Sequence, residues 1–242
     1  MNIISITGAR NNSKRISGKN IKDFCGKPLI AWTIEEAKKS KLLNRVIVST
    51  DSPQIAEIAR RYGAETPFLQ PAELSQDSTG IIPVLKYMVE WLRDNENYKT
   101  DIVVLLHPTN PLRRAQHIDE AIKLLKKKKA DSVSAVSNLP VNHNPYWVFK
   151  YSKKNPNVLI NAKNQYIKNI PVNSQELPKY YTRNDILYVL KAENLLKKQY
   201  DLYGKKQALY IMSDFYDADI NTPEEWLLME NKFKRLKKDK IK

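Results

Sequence analysis

Asn2-Ile3-Ile4-Ser5-Ile6-Thr7 runs without a break into Gly8-Ala9-Arg10-Asn11-Asn12-Ser13-Lys14-Arg15-Ile16-Ser17-Gly18-Lys19-Asn20, and the join between the two stretches decides the fold class. The first is short, apolar and rich in isoleucine, as a buried strand is. The second is polar, carries Arg10, Lys14, Arg15 and Lys19, and holds Gly8 and Gly18, where unusual backbone angles are available. Pro28 then suits the first turn of a helix over Leu29 to Lys39. Strand, basic loop and helix in that order open a βαβ unit.

The alternation continues outward. Arg45 to Thr50 reads as a second strand. Ser52 caps a helix that opens at Pro53, runs to Tyr62 and stops at Gly63. Ile81, Leu85, Met88, Val89 and Leu92 recur at helical spacing, so Ile81 to Arg93 is a helix. Ile102 to Leu106 is wholly apolar between Asp101 and Pro108, as a central strand buried on both faces must be. Ile118, Ala121, Ile122 and Leu125 mark another helix, and Ser132 to Val136 another strand. From Asn138 to Thr182 the pattern breaks into a tyrosine-rich, proline-interrupted stretch of short strands and loops, which reads as an inserted lobe. It resumes with Ile186 to Leu190, Leu209 to Met212 and a last helix from Pro223 to about Leu236, whose Trp226, Met229, Phe233 and Leu236 share a face. Such alternation implies one α/β domain over residues 1–242: a mostly parallel sheet with helices on both faces. In such sheets ligands bind beyond the carboxyl ends of the strands, which directs attention to Gly8 to Asn20, Thr50 to Ser52 and His107 to Arg113.

Composition narrows the function classes. The chain has 242 residues, 42% hydrophobic and 28% charged, which excludes wholesale disorder. No stretch reaches the apolar length of a membrane span, the N-terminus lacks signal-peptide features, and a lone Cys25 cannot form an intramolecular disulfide; a cytoplasmic location is expected. The net charge of +15 raises nucleic acid as a partner. Much of the excess, however, lies in Lys126 to Lys129 at a helix end and in the tail from Lys232, so no nucleic-acid or membrane partner is expected.

The basic loop has the chemistry a triphosphate needs, several cations and backbone donors beyond a strand, but it is neither a Walker loop nor a dinucleotide fingerprint. Asp214, Asp217 and Asp219 precede Asn221-Thr222-Pro223. They admit two readings that can both hold: oxygen ligands for Mg²⁺, or a helix cap with Glu224 and Glu225 on the helix dipole. In His107-Pro108-Thr109-Asn110-Pro111-Leu112-Arg113-Arg114 two prolines stiffen a loop from which His107 and Thr109 can face a ligand; His107 is equally read as an ordinary hydrogen-bonded histidine.

At these residues the chain resembles the acylneuraminate cytidylyltransferases. The matching blocks are Ala9 to Lys14 with Gly18-Lys19-Asn20, Gly26-Lys27-Pro28-Leu29, Val48-Ser49-Thr50-Asp51, Pro71-Ala72-Glu73-Leu74 with Asp77, Pro108 to Arg113, Asn184 to Val189, Tyr210-Ile211-Met212 and Asp219-Ile220-Asn221-Thr222. They span nearly the whole chain in order. The resemblance implies a Rossmann-like α/β fold in which CMP passes from CTP to a nonulosonic, sialic-acid-like sugar acid and pyrophosphate leaves. It implies Arg10, Lys14, Lys19 and Asp219 as catalytic groups. The nucleotide would be held by Ala9, Arg10, Asn12, Ser13, Lys19, Asn20 and Asp77, and the sugar by His107, Thr109, Asn184 and Tyr188. Mg²⁺ or Mn²⁺ would sit on Asp219, with Asn221 and Asp217 as further ligands. It also implies a homodimer in which the lobe over 138–182 reaches into the partner's site.

The chain departs from the family's pattern in three places. Asn221 stands where the family has a second metal aspartate, His107 where it commonly has glutamine, and Thr182-Arg183-Asn184-Asp185 where arginine-x-asparagine-glycine is usual. The nucleotide side is kept better than the sugar side, which points to another acceptor such as legionaminic or pseudaminic acid. Another base, an amino sugar, or nucleotide-sugar binding with weak catalysis stay open as alternatives.

Overall fold

The computed structural model describes residues 1–11, 15–76, 78–217 and 219–238. Its centre is a six-stranded sheet in the order β10-β6-β9-β5-β1-β4. The strands are β1 (Ile3–Gly8), β4 (Arg45–Ser49), β5 (Ile102–Leu106), β6 (Ser132–Asn138), β9 (Tyr181–Lys191) and β10 (Gln207–Met212). β1 is parallel to β4 and β5, and β10 is parallel to β6; β9 alone runs antiparallel, between β5 and β6. The expected mostly parallel sheet is therefore present. β9 is longer than the Ile186 to Leu190 read from the sequence, because its polar first half, Tyr181 to Arg183, still pairs with Val136 to Asn138.

The continuous apolar runs resolve into alternate faces. Ile102, Val104 and Leu106 join Ile30 and Ile34 of α1 (Leu29–Lys38), Ile55 and Ala59 of α2 (Pro53–Arg61) and Ile118 and Ile122 of α4 (Ala115–Lys128). Val103 and Leu105 face the other way, onto Leu85, Met88 and Leu92 of α3 (Ile81–Glu96). Helices thus cover both faces, as patterned burial requires. Local chemistry sets their ends. Ser52 Oγ accepts from Ile55 N at 3.3 Å to cap α2, and Gly63 follows it at φ +89°.

A third cluster closes the carboxyl edge. Phe24, the Trp32 ring of α1 and Trp226 and Phe233 of α5 (Pro223–Lys238) meet edge to face, with centroids 4.4–5.5 Å apart. Phe24 comes from β2 (Asp23–Phe24), which pairs with β3 (Lys27–Pro28) just before α1. The segment between β6 and β9 carries a two-stranded sheet of β7 (Phe149–Tyr151) and β8 (Leu159–Asn161), three short 3-10 turns and mostly exposed side chains. No described helix is long and apolar enough to cross a membrane.

Candidate active site

The chain leaves β1 through α1 and α2, which lie on one face, and returns through α3 on the other to reach β5 on the far side of β1. This reversal opens a crevice at the carboxyl ends of β1 and β5. A cavity of about 210 Å³ occupies it, lined among others by Gly8, Arg10, Gln70, Thr79, Gly80 and His107. The start of α3 closes tightly on β1: a Cβ at Gly8 would stand 2.7 Å from Ile81 Cδ1. Gln70 is fixed by four hydrogen bonds, one of them from Nε2 to Ser75 Oγ at 3.3 Å. Its Oε1 accepts from Ser49 Oγ at 2.9 Å, its Nε2 donates to Leu74 O at 2.6 Å, and its backbone N–H donates to Thr50 O at 2.7 Å. Sequence reading missed Gln70, Thr79 and Gly80. Their only signal is their position flanking the Pro71 to Asp77 block.

The basic loop starts from a rigid footing. Ala9 is buried and donates its N–H to Ser49 O at 2.9 Å, and the buried Asn20 donates from Nδ2 to Arg10 O at 3.1 Å. Arg10 reaches across the crevice mouth to Gln76 O at 2.6 Å. Lys19 crosses to the other end of the chain and donates from Nζ to Ile220 O at 2.7 Å. Burial pulls its pKa below the ordinary lysine value, and Asp219 opposes that pull. Asn12, Ser13, Lys14 and Asp77 lie outside the described residues.

The acidic turn after β10 is capped as the sequence allows. Thr222 Oγ1 accepts from Glu225 N at 3.3 Å, and Glu225 Oε2 accepts from the N–H groups of Asn221 at 2.6 Å and Thr222 at 2.9 Å, a reciprocal capping box that starts α5. This leaves the Asp219 side chain out of the cap: its Oδ2 accepts from Asn221 Nδ2 at 2.5 Å. Asp217 has other neighbours. It bonds to Ser137, faces Lys232, and burial raises its pKa. Asp219 offers a carboxylate and Asn221 an amide oxygen that could hold a magnesium ion, which commonly uses only one or two carboxylates. Among the described residues no group of three or more His, Cys, Asp or Glu could hold a metal unaided.

The opposite wall is a buried polar network. Arg113, fully buried, donates from Nε to Ile186 O at 3.0 Å, from Nη1 to Thr33 Oγ1 at 3.3 Å and from Nη2 to His107 O. Burial pushes its guanidinium down to about 9, so it is still a cation at neutral pH. The sequence placed Arg113 in a motif without giving it a task. Thr109 O accepts from Ile220 N at 3.2 Å, which ties the β5 loop to the acidic turn. His107 meets the Tyr188 ring edge-on at 6.4 Å between centroids, and burial holds its imidazole below the usual histidine pKa, hence neutral at pH 7.

β9 carries a large bulge here. Between the pairs Ser134↔Tyr188 and Val136↔Arg183, β6 spends one residue, Ala135, where β9 spends four, Asn184 to Leu187. Asn184 braces the bulge, with Nδ2 donating to Ser137 Oγ at 3.0 Å and Oδ1 accepting from Ile186 N at 3.3 Å. Asp185 sits in it at φ +52°, the left-handed region that favours glycine and tolerates Asp or Asn. The described members of both predicted groups, nucleotide side and sugar side, therefore stand on one edge of the sheet and meet at Ile220.

Comparison with known proteins agrees with this geometry. The family profile described as Cytidylyltransferase matches residues 4–239. CMP-N,N'-diacetyllegionaminic acid synthase of Legionella pneumophila is 31% identical over 230 residues, 95% of each chain. N-acylneuraminate cytidylyltransferase A of Danio rerio is 32% identical over 227 residues, 94% of this chain and 50% of that one. A solved CMP:2-keto-3-deoxy-manno-octonic acid synthetase, in complex with CTP, has the same fold at a TM-score of 0.68 and 15% identity, covering 98% of this chain and 100% of the other. A match that runs from β1 into α5 takes in both walls of the crevice, and the chain belongs to the cytidylyltransferase family.

Proposed function

We propose that this protein transfers the cytidylyl group of CTP to the anomeric hydroxyl of a nonulosonic sugar acid and releases pyrophosphate. The observation that carries this reading is the meeting of the two walls: Lys19 and Asp219, from opposite ends of the chain, lie beside each other where the β1 loop and the β10 loop converge. The sugar oxygen bonds to the α-phosphorus as the bond to pyrophosphate breaks, a reaction that asks for positioning and charge neutralisation more than for a protein nucleophile. Arg10, Lys14 and Lys19 neutralise the triphosphate. Ala9, Asn12, Ser13, Asn20 and Asp77 complete the nucleotide's surroundings, and His107, Thr109, Asn184 and Tyr188 hold the sugar. The neutral His107 suits a hydrogen bond to an uncharged sugar group. Asp219 and Asn221, with Asp217 nearby, would hold Mg²⁺, which supplies additional neutralisation of phosphate charge.

The same reading makes the protein a cytoplasmic homodimer of a pathway for surface sugars. The support for the dimer is the segment between β6 and β9, where Val148, Phe149, Tyr151, Tyr166 and Val172 stand exposed. Sedimentation at micromolar concentration is expected to give a dimer; a monomer alone would remove the lobe's role.

The reaction is tested by crossing the four nucleoside triphosphates with a panel of sugar acids, with and without Mg²⁺, and following pyrophosphate. Release is expected with CTP, a nonulosonic acid and metal together. Release with another base, or binding of both substrates without release, would overturn the proposal.

A further inference from the structure

We propose that Asp185 is a specificity-determining residue: its carboxylate adds an accepting site to the sugar-side wall that selects substituents bearing N–H or O–H donors. This rests on the sugar-acid reading above. Four observations lead to it. First, the β9 bulge presents Asp185 at the carboxyl edge, and Asn110 Nδ2 donates to its backbone carbonyl at 3.4 Å, tying the bulge to the β5 loop. Second, it lies near enough to His107 on the β5 side and to Asp217 after β10 for its charge to act on both. Third, its carboxylate is fixed. Tyr188 donates its hydroxyl proton to Oδ1, and Arg183 Nε pairs with Oδ1 at 3.0 Å. Fourth, the side chain is 36% exposed, so a ligand can reach it.

The chemistry follows from the inventory of donors and acceptors. An ionised carboxylate has about four lone-pair sites and no proton to give. Tyr188 and Arg183 both occupy Oδ1, which leaves Oδ2 for a ligand. Tyr188 spends its single proton on Asp185, so toward a ligand it too can only accept. An acylamino N–H or a hydroxyl on the sugar is matched here. A substituent without a donor leaves Oδ2 partly desolvated and without a partner. Glycine at this position would satisfy φ +52° equally well and supply none of this.

The test uses Asp185→Gly and Asp185→Asn, both of which tolerate the left-handed backbone and so keep the bulge. KM is measured separately for CTP and for two sugar acids, one with an acylamino group and its analogue with hydrogen in that place. In the unaltered protein the donor-bearing sugar is expected to be preferred by roughly tenfold or more, a preference lost in Asp185→Gly and reduced in Asp185→Asn, with the KM for CTP held within about twofold. A sugar preference unchanged in Asp185→Gly overturns the inference while leaving the reaction intact. A rise in both KM values together overturns it as well, because that is the mark of a purely structural role. If the unaltered protein makes no CMP-sugar from any sugar acid, the reaction itself falls and this inference with it.

Discussion

The two walls of the crevice are built in different ways. The wall proposed for the nucleotide is local: its described residues Ala9, Arg10, Lys19 and Asn20 come from one loop, anchored beside β4 by the Ala9 N–H on Ser49 O and the Asn11 N–H on Asp51 Oδ1. The wall proposed for the sugar is assembled from distant segments. Arg113, Thr33, Asn184 and Ser137 meet in a buried network that brings together α1, the β5 loop, β6 and the β9 bulge. A local wall can be altered at one side chain without disturbing the fold. A networked wall cannot, since each polar group there is satisfied only by another.

The largest effect separates the walls directly. Lys19→Ala is expected to lower kcat by about 10²–10³-fold, the loss of a fixed donor to developing charge, and Arg10→Ala to follow in the same direction. Unfolding of Lys19→Ala should stay within about 1 kcal/mol of the parent, because removing the half-buried ammonium and its desolvation cost offsets the lost bond to Ile220 O. Turnover near normal in both, followed by pyrophosphate release, would break the phosphate-loop assignment.

Arg113→Met should do the reverse. It strips donors from His107 O, Ile186 O and Thr33 Oγ1 in a buried setting. Stability is expected to drop by at least about 2 kcal/mol, roughly 1 kcal/mol or more for each acceptor left unpaired, since His107 O keeps the Thr33 Oγ1 donor at 3.5 Å. Denaturant unfolding at pH 7 measures it; a loss under about 1 kcal/mol would mean that the wall is not a network.

This difference also explains what could be read in the sequence. The strands and helices followed from periodicity, and the basic loop declared itself as one contiguous run of cations after β1. Asp219 and the cap at Thr222 were readable because their partners lie within a few residues. The direction of β9 was not readable, because it depends on how the long segment after β6 returns, and no periodicity records that. Arg113 was visible as a residue but not as a brace, since its acceptors are backbone carbonyls and one hydroxyl far off in sequence. The bulge had one local sign, the Asn184-Asp185 pair, which tolerates left-handed backbone.

A smaller effect probes the network through pH. His117 lies at the start of α4, where its Nδ1 accepts from Arg114 N at 3.3 Å and its ring meets Tyr216. Burial, with Arg113 and Arg114 adding to it, lowers its pKa from 6.5 to about 4. Above pH 6.5 neither state is protonated there. Between 6.5 and 4 the unfolded chain takes the proton and the folded one refuses it, so stability falls as pH falls through that window, by no more than about 3 kcal/mol. Unfolding free energies of the parent and His117→Gln should diverge across the window. Parallel profiles would show that this histidine does not report on the wall.

The smallest effect lies at the seam of the two walls. Asn221 Nδ2 donates to Asp219 Oδ2 at 2.5 Å, so the amide now does what a cation would do there, placing positive partial charge beside the carboxylate. Asn221→Asp replaces that donor with a second carboxylate. Without metal the pair repels; with Mg²⁺ the added charge binds, at a distance where surface-like screening leaves about 1 kcal/mol of gain, or roughly fivefold in apparent metal affinity. The Mg²⁺ concentration for half-maximal turnover should therefore fall in Asn221→Asp, while metal-free stability falls slightly. Asp219→Ala is expected to nearly abolish metal-dependent turnover with the fold intact, because the carboxylate takes no part in the cap that Thr222 and Glu225 form. An unchanged or raised Mg²⁺ requirement in Asn221→Asp would place the metal elsewhere. If Asp217→Ala rather than Asp219→Ala stops turnover, the metal belongs to the Ser137 side of the seam, and the sugar wall, not the nucleotide wall, holds it.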